Sequence, residues 1–280
     1  MPVPVPVPVP VPLPRQSLSG AIGSAAAVLL YLDYDGTLVP IRSDPSQCRL
    51  PDSLAGVLQR LAERQAAPVF DLAVISGRSL DDLRRQLGAV ATHLSLAGNH
   101  GLEIASGGQI WRHPEAEARR PELDAVAELL GEHFSRWPLA WLEHKGLSLS
   151  LHSRALALDQ HQALAQQLLP VLDQIQADGL FRLRRGRMVL EIRPAIDHTK
   201  AHAVQLLERS AAARGTLPAP SGSEPLRLYC GDDNTDEDVF SNWPGVIGVR
   251  VGPGWQGSSA PYRLSGPAGV AQWLRLLDRI

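Results

Sequence analysis

The sequence predicts an α/β fold whose parallel sheet domain is interrupted by an inserted α+β domain. Apolar runs alternate with helical patterns over residues 25–103 and again over residues 197–280. Over residues 104–196, hairpin-like runs and helices instead fall into separate blocks. Alternation of strands and helices is typical of a parallel sheet, whereas separate blocks are typical of an α+β unit. We therefore predict one discontinuous domain that carries a second domain as an insertion.

In the first part of the parallel domain, three strands are predicted to alternate with two helices. The first helix has leucine and valine at helical spacing, on Leu54, Val57, Leu58 and Leu61. The second helix is predicted to be capped by Ser79 and ended by Gly88. In chain order, the five segments are "AAAVLLYLDYDG", "SLAGVLQRLAERQ", "PVFDLAVISGR", "SLDDLRRQLG" and "LSLAGNHG".

The inserted domain is predicted to contain two long helices and several antiparallel strands. The helices are "PELDAVAELLGEHFSRW" and "ALDQHQALAQQLLPVLDQI", and the strand-like stretches are "WLEHKGLSLSLHSR" and "LFRLRRGRMVLEIRP". The second stretch favours two strands that turn around Arg185 and Gly186. We interpret its basic run "RLRRGR" as a hairpin tip, because aromatic side chains that could stack on nucleic acid bases are scarce around it.

After the insertion, the parallel domain is predicted to resume with a long helix and two further strands. The segments are "HTKAHAVQLLERSAAARG", "LRLYCGDDNTDEDVF" and "GVIGVRVG", and the loop "GTLPAPSGSEP" separates the helix from the first of these strands.

Proline recurs at alternate positions of the N-terminal stretch "MPVPVPVPVPVPLPR". This pattern forbids a helix and favours extended polyproline II backbone. The stretch lacks both the basic start and the continuous apolar segment of a secretory signal. We predict that residues 1–14 form a disordered tail, and the alternative is a ligand for a proline-binding module.

Composition and charge indicate a soluble globular protein that binds neither nucleic acid nor membranes. The 280 residues are 44% hydrophobic and 20% charged, and the net charge is only −2. No apolar run is long enough to cross a bilayer. Cys48 and Cys230 provide neither a disulfide framework nor a metal-ligand spacing, so we expect a reducing compartment, the cytoplasm. The composition makes no prediction of oligomeric state.

Polar side chains follow three of the predicted parallel strands, at the points where the strands end. Because such strand ends meet at one edge of a sheet, we expect these side chains to lie together: Asp33, Asp35, Ser76, Asp232, Asp233 and Asp236. Crowded carboxylates are costly unless a divalent cation neutralises them, and oxygen ligands without His or Cys favour Mg²⁺. Ser76 and Lys200, which lies near the start of the long helix, can both bind an anion.

This set of residue types indicates phosphoryl transfer. Mg²⁺ and Lys200 would neutralise the charge on phosphoryl oxygens. One aspartate can act as a nucleophile, and a second one, two residues further on, can donate a proton to the leaving alkoxide. A simple Asp-Gly turn is the alternative for Asp33 and Asp35.

Four motifs together resemble those of the haloacid dehalogenase superfamily of phosphatases. They are "DYDGTL", "ISGR", Lys200 and "GDDNTDED", and they occur in the superfamily's order. Further stretches are similar to the trehalose-6-phosphate phosphatases: "AGNHGLEI", "WLEHKGLSLSLHSR", "GRMVLEIRP" and "GDDNTDEDVF". The resemblance covers about residues 25–255 and implies a Rossmann-like core with an inserted cap domain that grips the sugar. One departure is Ala201, where the family often has glycine.

The resemblance implies specific roles for residues of the core. Asp33 resembles the nucleophile and a Mg²⁺ ligand, and Asp35 resembles the general acid and base, whose backbone carbonyl also binds the metal. Asp232 resembles the third protein ligand of the metal. Ser76 and Lys200 would bind the phosphoryl group, and Asp233 and Asp236 would hold metal-bound waters or Lys200.

For the sugar, the resemblance implies a second set of residues. Carboxylates accept hydrogen bonds from sugar hydroxyls and an ammonium group donates to them. The matching positions are Glu103, Glu143, Lys145 and Glu191, with Asn99, His100, Arg187 and Arg193 as further candidates. A plain ion pair between Glu191 and Arg193 along one strand is the alternative for that position.

The implied activity is Mg²⁺-dependent hydrolysis of trehalose 6-phosphate to trehalose and phosphate through an aspartyl-phosphate. Two alternatives with the same chemistry are phosphatases of sucrose 6-phosphate and of glucosyl-3-phosphoglycerate. A receiver-like signalling module also presents a phosphorylatable aspartate and Mg²⁺ at a sheet edge, but the cap-sized insertion and Asp35 argue against it. A sugar-phosphate sensor without activity would not need Asp35.

Overall fold

The computed structural model describes residues 9–185, 189–217, 224–254 and 256–280. The chain divides into two compact units, the first ending at Trp111 and resuming at His198, and the second spanning Arg112–Asp197. The insertion therefore begins later than the predicted residue 104. The reason is that strands at Glu103–Ser106 and Gln109–Arg112 continue the large sheet of the first unit, and only the last of these residues, Arg112, is grouped with the second unit.

The described part of the first unit contains a nine-stranded sheet. The strands in spatial order are β1 (Val11–Pro12), β13 (Tyr262–Leu264), β12 (Val246–Val251), β11 (Leu226–Gly231), β2 (Ala27–Asp33), β3 (Val69–Ile75), β4 (Ser95–Gly98), β5 (Glu103–Ser106) and β6 (Gln109–Arg112). In this spatial order, every neighbouring pair from β1 to β4 is parallel, and β5 is antiparallel to β4. The predicted parallel sheet is thus confirmed and is extended by two more strands at each edge.

Helices cover both faces of this sheet. On one face lie α1 (Arg15–Gly23), α2 (Asp52–Ala62), α3 (Leu80–Leu87) and α9 (Pro267–Leu277), and on the other lie α7 (Lys200–Ala213) and α8 (Glu237–Asn242). Val28, Leu30 and Leu32 of β2 pack into the first core, and Leu29 and Tyr31 pack into the second. Because both faces are buried, the β2 sequence is continuously apolar rather than alternating.

The predicted limits of α3 are confirmed. The Ser79 side chain accepts a hydrogen bond from the Asp82 amide, and Gly88 ends the helix with a φ of 67°. Such a positive φ is accessible to glycine at little cost, which explains why the helix ends at this residue.

The second unit is an α+β domain with one antiparallel sheet, as predicted. Its strands in spatial order are β7 (Trp141–His144), β8 (Leu149–His152), β10 (Val189–Pro194) and β9 (Phe181–Arg185). Its helices are α4 (Pro114–Ala118), α5 (Arg120–Gly131) and α6 (Leu158–Ala177). Leu149, Leu151 and Ile192 belong to a separate hydrophobic core with α5 and α6. The cross-strand register aligns Glu143, Ser150 and Glu191 on the opposite, polar face.

The prediction of a disordered tail is wrong for residues 9–14, whereas residues 1–8 lie outside the described residues. Val11 and Pro12 pair with β13, the amides of Val11 and Leu13 donate to the carbonyls of Pro261 and Arg263, both at 3.0 Å, and Leu13 is only 7% exposed. Proline has no N–H to donate. On an edge strand, however, the N–H groups of alternate residues point away from the sheet and need no partner strand. The alternation of proline and valine is therefore compatible with an edge strand.

Leu13 is expected to anchor this edge strand. Replacing Leu13 by Ala should lower the free energy of unfolding by about 2 kcal/mol or more, because it leaves a cavity in a buried apolar site. The matched variant Val11→Ala, at a side chain that is 53% exposed, should change it by less than about 0.5 kcal/mol. Urea denaturation of both variants measures the difference, and equal values would show that the strand is not docked.

None of the helices in the described ranges combines the length and the apolar composition that a membrane span requires.

Candidate active site

The candidate site lies where β2, β3 and β11 end. From β2 the chain continues on one side to β3 and β4, whereas β11, β12 and β13 lie on the other side. In open α/β sheets, a crevice for ligands forms at such a point, outside the carboxyl ends of the strands. Asp33 is the last residue of β2, Ser76 follows β3, and Asp232 follows β11.

Lys200, the first residue of α7, links two acids of this site. Its Nζ donates to Oδ1 of Asp33 and to Oδ1 of Asp236, both at 2.7 Å. The lysine is only 2% exposed. Burial alone would lower the pKa of its ammonium group, but the carboxylates of Asp236 and Asp33 outweigh this effect and hold the pKa well above its usual value. Lys200 is therefore a fixed positive charge beside Asp33 at neutral pH.

Asp236 holds Lys200 in place. It is completely buried, its Oδ1 also accepts from the Tyr229 hydroxyl at 2.7 Å, and its Oδ2 accepts from the Asp233 amide at 2.9 Å. A side chain at Gly231 would put its Cβ 2.1 Å from the Asp236 carboxyl carbon, so only glycine fits there. Of the two roles predicted for Asp236, the contacts correspond to binding Lys200.

Carboxylate oxygens of Asp33, Asp232 and Asp236 all lie within 4.8 Å of one another. Burial and the charges of Asp236 and Asp233 raise the pKa of Asp232 to about 7. Burial also raises the pKa of Asp33, although Lys200 opposes this effect. Negative charge in the cluster thus exceeds what one lysine compensates, which together with the all-oxygen donor set fits a hard divalent cation. Because Asp236 already accepts three hydrogen bonds, Asp33 and Asp232 are the better side chains to hold it.

A sharp turn brings the loop after β2 against Asp232. Gly36 has a φ of 90°, and a Cβ at this position would lie 2.1 Å from Oδ2 of Asp232. Thr37 Oγ1 donates to Oδ1 of the same aspartate at 3.4 Å. Glycine is required at residue 36 both for its backbone angle and for this close approach.

Arg78 holds the side chain of Asp35, the residue predicted as general acid and base. Its Nε donates to Oδ2 at 2.6 Å and its Nη2 donates to Oδ1 at 2.8 Å, while its Nη1 donates to Asp82. The guanidinium carbon also lies 5.5 Å from the centre of the Tyr34 ring. Asp35 can donate a proton from this position only after one of its oxygens is released from Arg78.

Sequence reasoning missed this role of Arg78. The residue is part of the quoted "ISGR" motif, directly after the Ser-Gly turn. Its position in a motif at a strand end was the available signal.

Ser76, the first residue after β3, is buried. Its Oγ accepts a hydrogen bond from the Arg78 amide at 3.2 Å, which orders the turn at Gly77. A serine hydroxyl can donate while it accepts, so this contact leaves its proton for an anion. The predicted role in binding phosphate stays a prediction.

Three of the predicted sugar ligands belong to the first unit, beside α3. Oε1 of Glu103 accepts from the Leu80 amide at 2.8 Å and from Nδ2 of Asn99 at 2.6 Å. Asn99 and His100 adopt φ angles of 47° and 57°, which turn the chain sharply after β4. Glu103 thus satisfies an amide in the first turn of α3. A contact between these residues and sugar stays a prediction.

The other predicted sugar ligands in the described part of the second unit are on, or directly after, strands of its sheet. Lys145 Nζ is 3.6 Å from Oε1 of Glu191, and Arg193 Nε donates to Oε2 of Glu191 at 2.9 Å. The alternative ion pair between Glu191 and Arg193 is therefore present, and it does not exclude a role in binding. Arg187, a further candidate, lies outside the described residues.

Glu143 has a partner that sequence reasoning missed. Its Oε2 is 2.8 Å from Nε2 of His152, and the His152 ring is stacked on Trp141 with 4.6 Å between the ring centres. The two-residue alternation of β8 places His152 on the same face as Ser150, and this was the available signal.

The chain, with its acids gathered around a lysine at the sheet edge, has the fold of the haloacid dehalogenase-like hydrolases. A haloacid dehalogenase-like hydrolase from Bacteroides thetaiotaomicron has this fold, with a TM-score of 0.59 over 90% of this chain and 99% of its own at 17% identity. The C-terminal domain of C. albicans trehalose-6-phosphate phosphatase superposes with a TM-score of 0.76, over 97% of this chain and 99% of that chain, at 24% identity. At these identities the two structures establish the fold alone.

Comparison of sequences identifies the family. Residues 31–249 match the family model of the trehalose-phosphatases. Trehalose 6-phosphate phosphatase RA3 of Zea mays is 32% identical over 274 residues, which cover 92% of this chain and 71% of that protein. Probable trehalose-phosphate phosphatase 4 of Oryza sativa subsp. japonica is 31% identical over 261 residues, which cover 90% of this chain and 66% of that protein. The chain belongs to the trehalose-phosphatase family and is a phosphatase, as its motifs predicted.

Proposed function

We propose that the protein hydrolyses trehalose 6-phosphate to trehalose and phosphate, with Mg²⁺ as cofactor and through an aspartyl-phosphate at Asp33. The observation that carries the proposal is the buried arrangement of Asp33, Lys200 and Asp236 beside Asp232. Family membership and the names of the relatives support the substrate and a place in trehalose biosynthesis. The two buried free thiols of Cys48 and Cys230 agree with a cytoplasmic protein.

In the first half of the proposed reaction, Asp33 is the nucleophile. Because Lys200 binds Oδ1, Asp33 would attack phosphorus with Oδ2. A bond forms between this oxygen and phosphorus, and the bond from phosphorus to the sugar oxygen breaks. Asp35 gives its proton to the departing alkoxide once Arg78 has released one of its oxygens.

In the second half, a water molecule attacks the aspartyl-phosphate. Asp35 takes a proton from this water, and the bond between phosphorus and Asp33 breaks to release phosphate. Lys200 stays in place throughout, because Asp236 also binds its ammonium group. It thereby offers a fixed positive charge that needs no rearrangement when charge develops on the phosphoryl oxygens.

Mg²⁺ would be held by the carboxylates of Asp33 and Asp232 and by the backbone carbonyl of Asp35. When bound, it supplies charge neutralisation for the phosphoryl oxygens and for the crowded carboxylates.

A phosphate-release assay on a panel of substrates tests this proposal. We expect the highest kcat/KM on trehalose 6-phosphate and lower values on sucrose 6-phosphate, glucose 6-phosphate and glucosyl-3-phosphoglycerate. A preference for one of the other esters would keep the chemistry but change the substrate. Absence of turnover on the whole panel with Mg²⁺ present would contradict the enzyme and favour a sensor.

Sugar recognition by the second unit is tested with Glu191→Ala. The loss of a charge-assisted hydrogen bond costs about 1.5–3 kcal/mol, so kcat/KM on trehalose 6-phosphate should fall by about tenfold to a hundredfold. Hydrolysis of a small aryl phosphate should be unchanged, because that substrate has no sugar hydroxyls. Steady-state kinetics on both substrates measure the effect.

The control for this experiment is Glu128→Ala, at an exposed glutamate of α5 in the same unit. It should leave both substrates unaffected. If Glu191→Ala lowers hydrolysis of both substrates equally, Glu191 supports the fold rather than sugar binding.

A further inference from the structure

Strand β9 lies at an edge of the four-stranded sheet in the second unit. On one side it pairs with β10 along its whole length, from Phe181 opposite Pro194 to Arg185 opposite Leu190. On its other side, no strand in residues 9–185, 189–217, 224–254 and 256–280 pairs with it. Such an edge presents backbone N–H and C=O groups to which another extended chain can bond.

Three exposed arginines occupy this edge strand, and we call Arg182, Arg184 and Arg185 the edge arginines. In the part of the chain that the structure describes, none of their guanidinium groups forms an ion pair or a side-chain hydrogen bond. Three arginines on one five-residue strand form a local concentration of positive charge.

Neighbouring residues do not neutralise this charge. The register places Arg184 opposite Glu191, yet the Glu191 carboxylate accepts a hydrogen bond from Arg193 and lies 3.6 Å from Lys145 Nζ. Arg182 lies opposite Arg193, which is a cation itself. The edge is therefore positive although the chain as a whole carries a net charge of −2.

A cavity of about 460 Å³ adjoins the same strand. It is lined by residues 181–184 of β9 together with Gln176, Gly179 and Ala195. Next to the exposed edge, such a cavity offers space for a side chain of a chain that pairs with β9.

We infer that the edge of β9 is a docking site for an acidic segment of a partner protein, which adds to the sheet as an extended strand. Arg182 and Arg184 alternate on one face of β9, so carboxylates at alternate positions of the segment would meet both. Main-chain hydrogen bonds supply affinity that does not depend on sequence, and the edge arginines select an acidic sequence. The inference does not rest on the proposed function, although Arg184 lies opposite Glu191, a proposed sugar ligand.

Charge and composition disfavour other occupants. A second copy that paired edge to edge through β9 would bring arginines against arginines, which is destabilising. Nucleic acid would need aromatic platforms for its bases, but the one aromatic residue of β9, Phe181, is buried. A remaining alternative is that the edge arginines only protect the strand from aggregation, in which case no segment would bind.

The test measures the binding of a fluorescein-labelled peptide with alternating Glu and Thr to the full chain, by fluorescence anisotropy at about 0.15 M ionic strength. We expect saturable binding that weakens strongly at about 1 M salt, where the Debye length is about 3 Å. A peptide with alternating Lys and Thr should not bind. Absence of saturable binding of the acidic peptide overturns the inference.

A pair of charge-matched triple variants locates the site. Arg182→Gln/Arg184→Gln/Arg185→Gln should weaken binding by about tenfold or more, since each lost charge pair contributes a modest amount. The control removes three exposed arginines of the first unit by the same change, at Arg209, Arg275 and Arg279, and should change affinity less than about twofold. Equal losses in the two variants would overturn the inference in favour of general electrostatic attraction.

Hydrogen exchange distinguishes strand addition from binding through charge alone. With the peptide bound, amides within Phe181–Arg185 should exchange more slowly, because those on the outer side of β9 become hydrogen-bonded. Binding without this protection overturns strand addition. An oligouridylate is measured in the same way. If it binds more tightly than the peptide, and the triple variant of β9 loses that binding, the edge is a nucleic-acid site and the inference of an acidic protein segment is overturned.

Discussion

Asp33→Asn is expected to abolish turnover while the protein stays folded. An amide is a poor nucleophile towards phosphorus and a poor ligand for Mg²⁺, so kcat should fall by roughly a thousandfold or more. The amide oxygen can still accept the hydrogen bond from Lys200 that Oδ1 of Asp33 accepts now. Phosphate release from trehalose 6-phosphate and from an aryl phosphate measures the loss, which should be the same on both substrates.

The same variant should be as stable as the parent protein or more stable in the absence of metal. Burial raises the pKa of Asp33 above its value in an unfolded chain, so its ionised form is disfavoured in the folded state. This loss of folding stability appears as the pH rises above about 4, the pKa of an aspartate in the unfolded chain. A neutral amide at this position removes the loss. Thermal unfolding with a metal chelator present at neutral pH measures it.

A matched control is Asp173→Asn, at an exposed aspartate of α6. It should change neither turnover nor stability. Near-normal turnover in a folded Asp33→Asn protein would refute the covalent mechanism. A large loss of stability would show that the Asp33 carboxylate supports the fold.

Lys200→Met is expected to damage both turnover and stability. It removes the positive charge beside the nucleophile, which should lower kcat by about a hundredfold to a thousandfold. It also leaves Asp33 and Asp236 buried without their shared cation, and breaking a buried ion pair in this way costs about 3–5 kcal/mol. Urea denaturation and steady-state kinetics measure the two effects.

The stability loss of Lys200→Met should depend on pH. Burial raises the pKa of Asp236 even with Lys200 present, and removal of the lysine should raise it further. A carboxyl group whose pKa is higher in the folded than in the unfolded state destabilises the fold when it ionises, so the loss should be greater at pH 8 than at about pH 5.

The double variant Lys200→Met/Asp236→Asn separates the two roles of Lys200. Removing the second buried charge should restore part of the stability, because the unpaired carboxylate is gone, but it should not restore turnover. Restoration of both would mean that Lys200 acts only on the fold. Restoration of neither would mean that Asp236 does not form the buried pair that determines stability.

Most elements of the first unit could be predicted because their sequence patterns are local. β2 is apolar throughout since both of its faces are buried, and α3 begins at Ser79 and ends at Gly88 for reasons contained in those residues. The proximity of Asp33 and Asp232 could also be predicted, because the carboxyl ends of parallel strands lie at one edge of a sheet. The motifs then identified the family that the comparisons confirmed.

Contacts of individual side chains in the site could not be predicted in the same way. The spacing in "GDDNTDED" does not distinguish a metal ligand from an anchor for Lys200, and only the folded chain shows that three donors already bind Asp236. Likewise, the motif position of Arg78 indicates a role at the sheet edge but not that its partner is Asp35, which lies 43 residues earlier in the chain. Such choices depend on which groups the fold brings within hydrogen-bonding distance.

The sequence by itself determined the α/β class, the inserted α+β unit, the acids at the sheet edge and the family, because each follows from periodicity or from a short motif. Only the tertiary structure decided that Val11 and Pro12 form an edge strand and that residues 103–112 belong to the large sheet. In both cases the deciding hydrogen bonds or strand pairings come from another strand. Val11 pairs with Tyr262 from the opposite end of the chain, and a local pattern contains no information about so distant a partner.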